Sequence, residues 1–146
     1  MSVENVQTGV AKVDRGLEIH LPDGAYVLAF DDWETAWMRG WSPKVYVWFR
    51  VDRGEFAGAF LRRCYNVSKL TGRGGPRGGF VVGPKSDYYR EFVACIGIPG
   101  PSDIVTPDAY ASRIVIGDVV TVERGRDGEP LIERYSTIRK LRPQMD

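Results

Sequence analysis

Residues 44–51 alternate strictly between apolar and polar or aromatic positions. The odd positions from Val45 to Val51 are apolar, whereas the even positions hold Lys44, Tyr46, Trp48 and Arg50. Successive side chains of a β-strand point to opposite faces, so this period predicts a strand with one apolar face and one aromatic and basic face. An outward row of aromatic and basic side chains is typical of strands over which single-stranded nucleic acid lies.

Similar patterns predict four more strands. Together the predicted strands cover residues 25–38, 44–51, 56–66, 113–123 and 131–141. We expect the first to be one long strand, bent or bulged near Asp31 and Asp32, and an amphipathic helix over 31–38 is the alternative. Turn residues precede or join the strands at 22–24, 52–55 and 126–129.

One helix is predicted over residues 86–96. Ser86 has the side chain of an N-cap, and Gly97 follows as a stop signal. Tyr88, Phe92 and Cys95 recur at helical spacing together with Ile96, which predicts a face directed toward the core.

The remaining segments lack such periods. Glycines are so dense between Ser68 and Pro84 that we expect a mobile loop without helix or strand. Residues 99–107 are predicted to be a linker, 1–20 a flexible lead-in or an edge strand, and 142–146 a fraying tail.

The resulting order is three strands, one helix and two strands. This order predicts a mostly β chain with an OB-fold, a five-stranded Greek-key barrel with its helix between strands 3 and 4, in one domain over residues 21–141. In that fold the face of strands 2 and 3 binds oligonucleotides or oligosaccharides. The alternating strand at 44–51 would therefore lie on the surface that normally receives the ligand.

Charge is distributed unevenly along the chain. The whole sequence has a net charge of +1, yet residues 62–90 contain seven lysines and arginines and only one acidic residue, Asp87. A basic segment of this kind steers polyanions toward the protein.

Composition argues against several other classes. Two cysteines, Cys64 and Cys95, and one histidine, His20, lack the spacing of a zinc site or a disulfide framework. No apolar stretch reaches the ~20 residues that span a bilayer, and no signal peptide is evident, so we expect a cytoplasmic protein without membrane contact. The acidic run at 31–34 is interpreted as solvated. We expect no cofactor, no metal and no catalysis.

Three stretches carry a resemblance to a known family. They are Leu21-Pro-Asp-Gly-Ala-Tyr26, Lys44-Val-Tyr-Val-Trp-Phe-Arg50 and Tyr65-Asn-Val67. In this layout the chain resembles the small OB-fold single-stranded DNA-binding proteins of bacteriophages and integrated mobile elements. The resemblance implies non-catalytic binding of single-stranded DNA in replication, recombination or element transfer. The acidic C-terminal tail with which such proteins recruit partners is not present in this sequence.

Twelve residues are predicted to contact nucleic acid. The aromatic ones, which would stack on bases or form the rim of the site, are Trp37, Trp41, Tyr46, Trp48 and Tyr65. The basic ones, which would contact phosphates, are Lys44, Arg50, Arg62, Arg63, Lys69, Arg73 and Arg77. Because Arg62 and Arg63 are adjacent on a strand, at most one of them is expected to reach a given ligand.

Two alternatives stay open. The aromatic face could instead form a homo-oligomer or dock a partner protein. RNA or an oligosaccharide could also occupy it in place of DNA.

Overall fold

The computed structural model describes residues 20–124 and 130–145. Within these ranges there are eight strands, one α-helix and one 3-10 helix. The strands are β1 (Gly24–Met38), β2 (Ser42–Val51), β3 (Phe60–Asn66), β4 (Lys69–Leu70), β5 (Gly75–Pro76), β6 (Phe80–Val81), β7 (Ile114–Arg124) and β8 (Pro130–Pro143). The helices are α1 (Asp87–Cys95) and a 3-10 helix at Pro107–Ser112. The lead-in at 1–19 and the turn predicted at 126–129 lie outside the described residues.

Five of the strands close into a ring. β1 pairs antiparallel with β2 and β7, β2 pairs with β3, and β7 pairs with β8. The ring closes where β3 meets β8 in parallel, with Arg63 opposite Ile138. The predicted mostly β architecture is confirmed, and α1 falls between the third and fourth ring strands, as expected.

The first strand serves two neighbours. Its first part, Gly24–Ala29, pairs with β7, whereas Leu28–Met38 pairs with β2. The register shifts between Phe30 and Asp32, so the bulge predicted at the aspartate pair is confirmed and the helical alternative for 31–38 is wrong. A bulge bends the strand and increases its twist, which lets one strand turn from one partner to the other.

The apolar face of β2 forms the centre of the core. Val45, Val47 and Phe49 are fully buried, and Val51 is nearly so, which confirms the predicted inward face. Helix α1 covers this core with Tyr88 and Phe92, both buried.

Helix α1 begins and ends where predicted. The Ser86 hydroxyl accepts a hydrogen bond from the Tyr89 amide at 3.1 Å, and the predicted N-cap is thus confirmed. Gly97 follows the helix with a φ of +129°, a conformation that L residues rarely adopt.

Two strand boundaries differ from the sequence predictions, and one short helix was not predicted. β3 begins at Phe60 rather than at residue 56, because turns occupy 53–58, with a φ of +93° at both Gly54 and Gly58. β8 continues to Pro143, so the first two residues of the predicted tail belong to a strand. The 3-10 helix at Pro107–Ser112 was not predicted, and its Tyr110 packs against Phe49 with ring centroids 5.8 Å apart.

The glycine-rich segment is structured, contrary to the prediction of a loop without strands. β4 and β6 pair with each other, and β5 pairs with β1. The glycines permit close approach: a Cβ on Gly78 would lie 2.4 Å from Thr35 Oγ1, and one on Gly79 would lie 2.1 Å from Thr71 Oγ1. Two glycines of the segment thus lie where any larger side chain would meet a neighbouring threonine.

The close packing of Gly78 can be tested by substitution. We expect Gly78→Ala to lower the free energy of unfolding by about 1–3 kcal/mol, because the added methyl group overlaps the buried Thr35 side chain. Gly72→Ala is the matched control, since no atom lies within 4 Å of its Cβ position. Urea unfolding followed by tryptophan fluorescence measures both. Equal stability of the two variants would contradict the packed arrangement.

None of the helices in the described ranges combines the length and the apolar character that crossing a membrane requires.

Candidate functional site

The outward side chains of β1, β2 and β3 form rows across the sheet. We call the surface made by these side chains the strand face. Residues Lys44, Tyr46 and Trp48 of β2 alternate outward, as the sequence pattern predicts. The pairing register sets Tyr46 between Glu34 and Cys64, and Trp48 between Asp32 and Arg62. The predicted aromatic and basic strand thus has acidic neighbours on β1.

The centre of the strand face is closed by its own side chains. The guanidinium of Arg62 lies 4.3 Å from the ring centroid of Tyr46 and 5.5 Å from that of Trp48. Stacked in this way, Arg62 leaves Tyr46 only 9% exposed. Of the pair Arg62 and Arg63, it is Arg62 that points outward. The flat face of its guanidinium, however, already contacts the aromatic rings of the protein itself.

Carboxylates on and beside the strand face hold several predicted site residues. Glu34 Oε1 accepts a hydrogen bond from the Trp48 indole nitrogen at 3.2 Å. Asp31 lies 3.8 Å from Arg50, and Asp32 Oδ1 lies 3.2 Å from Nε of Arg77. The side chains of Arg50 and Arg77 are about half exposed or more, so these two ion pairs are of the weak, exchangeable kind.

Arg63 and Tyr65 point inward, and their assignment to a nucleic-acid surface is wrong. Both lie on the side of β3 that faces the core, where Tyr65 is 1% and Arg63 is 9% exposed. Arg63 donates from Nε and Nη2 to the two carboxylate oxygens of Glu91 on α1, at 3.1 and 2.6 Å. The physical reason is that Glu91 supplies a buried partner for the charge of Arg63, which alternation alone does not reveal.

Glu91 is the centre of a buried polar network. Besides Arg63, it accepts hydrogen bonds from the Tyr65 hydroxyl at 2.7 Å and from the Leu141 amide at 2.9 Å. Burial lowers the pKa of the Arg63 guanidinium, but its hydrogen bond to Glu91 and the negative charges around it together outweigh this, so the pKa lies above its ordinary value. Burial, and next the charge of Glu91, raises the pKa of Tyr65 well above its ordinary value. This network joins α1, β3 and β8 and is structural.

The exposed aromatic residues lie at the turn between β1 and β2. Trp37 is 38% and Trp41 is 64% exposed. The Trp37 indole nitrogen donates to the Gly72 carbonyl at 3.1 Å, which ties the glycine-rich segment to the turn. Two tryptophans with large exposed surfaces, four residues apart, offer stacking area that the centre of the strand face does not.

Basic residues lie near these two tryptophans in the strand register or along the chain. Lys44 lies opposite Ala36 in the register and donates to the side chain of Asn66. Arg73 directly follows the Gly72 carbonyl that receives the Trp37 hydrogen bond, and both Arg73 and Lys69 are exposed. We call the group Trp37, Trp41, Lys44, Lys69 and Arg73 the Trp rim.

One further residue belongs beside the Trp rim and was not predicted. Arg39 is exposed in the turn between Trp37 and Trp41, with a φ of +57°. The sequence does contain a signal for Arg39, because this basic residue precedes a glycine and lies between two tryptophans.

The twelve predicted residues therefore fall into three groups. The Trp rim holds five of them, and the strand face holds Tyr46, Trp48, Arg50 and Arg62 together with Arg77, which is bound to Asp32. Arg63 and Tyr65 lie in the interior. Within the described ranges no group of three or more His, Cys, Asp or Glu side chains is placed to hold a metal ion.

Comparison of the chain with protein-family models, with curated proteins and with solved structures gives no match.

Proposed function

We propose that the chain is a non-catalytic, sequence-independent single-stranded DNA-binding protein with an OB-fold. The order of the ring, β1–β2–β3–β8–β7, with a parallel contact between β3 and β8 and a helix before β7, supports the OB-fold. By the family resemblance of the sequence, the protein acts in the cytoplasm in replication, recombination or transfer of a phage or mobile element.

The Trp rim is the observation that carries this proposal. Its two exposed tryptophans provide flat surfaces on which bases stack, a contact that contributes ~1–3 kcal/mol per base and does not depend on sequence. Its three basic residues, with Arg39 beside them, supply charges for the phosphates that follow each stacked base. The rim adjoins the end of the strand face, near the turn between the first two strands, where OB-folds receive oligonucleotides.

The strand face extends the same site. Arg50 and Arg77 have well-exposed side chains that pair with Asp31 and Asp32, and exchanging such a surface contact for a phosphate costs little. Arg62 already covers the rings of Tyr46 and Trp48, so bases do not stack directly on these rings. The two rings contribute to DNA binding by holding the Arg62 guanidinium in position. The proposed path of the strand thus begins at the Trp rim and continues over arginines.

Salt dependence and strand selectivity test the proposal. We expect a labelled oligo-dT to bind in the nanomolar to micromolar range at low salt, with duplex DNA of the same length binding more weakly. The four basic residues in and beside the Trp rim (Arg39, Lys44, Lys69 and Arg73) should by themselves make the affinity fall about 50-fold between 50 and 200 mM salt, and contacts with the strand-face arginines would steepen the fall. Fluorescence anisotropy measures both quantities, and an oligo-rU arm distinguishes DNA from RNA. Equal affinity for the duplex, or no change with salt, would contradict the proposal.

A second candidate function is protein interaction through the same surface. It is favoured by the carboxylates Asp31, Asp32 and Glu34, which neutralise the strand face and would repel phosphates, while Trp41 stays exposed. Under this alternative, light scattering finds a dimer or a partner complex that Trp41→Ala dissociates. Oligo-dT and oligosaccharides then leave the protein unaffected.

A further inference from the structure

A cleft of about 550 Å³ lies between α1 and the end of β8. It is far from neutral, because five of its lining residues are basic and two are acidic. The basic ones are Arg63, Arg90, Arg139, Lys140 and Arg142, and the acidic ones are Asp87 and Glu91. No residue of the Trp rim lines this cleft.

A bulge in β8 directs two of these basic residues toward solvent. The register with β7 shifts between Asp118, which pairs with Lys140, and Val119, which pairs with Ile138. Arg139 is therefore the extra residue of the strand, and Arg139 and Lys140 are both exposed between the buried Ile138 and Leu141. A regular strand would have turned one of the two inward, whereas a bulge re-aims a side chain.

Charge pairing within the cleft leaves these same two residues uncompensated. Arg63 is bound by Glu91, Arg90 lies against Asp87, and Arg142 lies 3.2 Å from Asp118 of β7. Among the described residues, by contrast, no carboxylate forms an ion pair with Arg139 or Lys140. Asp118 lies opposite Lys140 in the strand register, but its carboxylate pairs with Arg142. The cleft therefore presents two adjacent positive charges with which no carboxylate of the described ranges forms an ion pair.

We propose that this cleft binds the phosphate ester of a ligand of nucleotide size, with Arg139 and Lys140 as the residues that contact the phosphate. A guanidinium and an ammonium group side by side suit a phosphate, which accepts several charge-assisted hydrogen bonds. The volume is in the range of small-molecule sites. Ala94 and Pro143 supply apolar lining for the body of the ligand.

This site is independent of the proposed DNA interface. The phosphate could belong to a free nucleotide or to the end of a nucleic-acid chain, and both present the same chemistry to Arg139 and Lys140. The test therefore uses dTMP, thymidine, inorganic phosphate and a 5′-phosphorylated oligo-dT as separate probes. The Trp37→Ala/Trp41→Ala protein serves as the background in which DNA binding by the rim is weakened.

The experiment is a titration followed by amide NMR shifts of residues 139–142. We expect dTMP to shift these amides saturably, with thymidine giving no shift and inorganic phosphate binding more weakly than dTMP. Arg139→Gln/Lys140→Gln should weaken dTMP binding by about tenfold or more, because two charged contacts are lost. Arg53→Gln/Arg134→Gln removes the same charge from exposed sites outside the cleft and should leave the affinity unchanged.

The outcomes separate this proposal from the proposed function. Saturable dTMP binding that persists in the Trp37→Ala/Trp41→Ala background supports the cleft even if oligo-dT binding by the rim fails. Shifts produced only by the 5′-phosphorylated oligonucleotide support the site and assign its ligand to a chain end. Absence of saturable shifts at 139–142 with every phosphate probe overturns the proposal, as does an equal loss of affinity in the Arg53→Gln/Arg134→Gln control.

Discussion

Glu91→Gln is expected to lower the free energy of unfolding by about 3 kcal/mol or more. The substitution keeps the shape of the side chain but removes its charge, which leaves the Arg63 guanidinium buried without a counterion. It also replaces one acceptor oxygen with an amide nitrogen, so at least one of the bonds from Arg63, Tyr65 or Leu141 is lost. Domains of this size have total stabilities of about 5–15 kcal/mol, so the loss should shift the urea midpoint strongly.

Asp87→Asn is the matched control for this prediction. It makes the same carboxylate-to-amide change on the same helix, but Asp87 is exposed and its pair with Arg90 is at the surface. We expect a change within about 1 kcal/mol, including the loss of a favourable charge in the first turn of α1. If Glu91→Gln proved as mild as Asp87→Asn, the buried network would not join α1 to the strands as described.

Loss of both tryptophans of the Trp rim should have the largest effect on nucleic-acid binding. If each ring stacks on one base at ~1 kcal/mol or more, Trp37→Ala/Trp41→Ala weakens oligo-dT binding by at least about 30-fold. The salt dependence should persist, because the basic residues of the rim remain. Anisotropy titration at low salt measures the change, and urea unfolding verifies that the variant stays folded.

Ile98→Ala/Ile104→Ala is the control for removal of exposed apolar surface. Both isoleucines are about four-fifths exposed in the segment that follows α1, outside the Trp rim. We expect their removal to leave oligo-dT affinity unchanged. An equal loss of affinity in the two double variants would mean that the tryptophans do not contact the DNA specifically.

Local patterns in the sequence predicted much of the fold. The alternation from Val45 to Val51, the bulge at the aspartate pair and the N-cap at Ser86 each depend on residues close together in the chain. Such signals act within a single strand or helix turn, so the sequence displays them directly. The order of these elements was then sufficient to predict a mostly β chain with one helix between its third and fourth main strands.

The inward placement of Arg63 and Tyr65 could not be predicted from local sequence patterns. The inward set of β3 contains a charged residue, so its alternation does not show which side faces the core. The orientation is settled by Glu91, which lies 28 residues further along the chain and accepts from both side chains. A buried charge is tolerated only with such a partner, and a partner on another element is invisible to a local pattern.

The prediction that the glycine-rich segment contains no strand was wrong for a related reason. Glycine permits both flexibility and close approach, and composition alone does not distinguish the two. The contacts of Gly78 with Thr35 and of Trp37 with Gly72 are long-range. They hold the segment against β1 and place Arg73 directly after the Gly72 carbonyl to which Trp37 donates.

The central claim, that the Trp rim binds single-stranded DNA, is tested most directly by the four tryptophan indole N–H signals in a nitrogen-15 NMR titration with unlabelled oligo-dT at low salt. The indole signals of Trp37 and Trp41 are predicted to shift saturably, because their rings would stack on bases. The signal of the buried Trp33, which is 4% exposed, should stay in place. If all four signals remained unchanged at high oligonucleotide concentration, the Trp rim would not be a DNA-binding site.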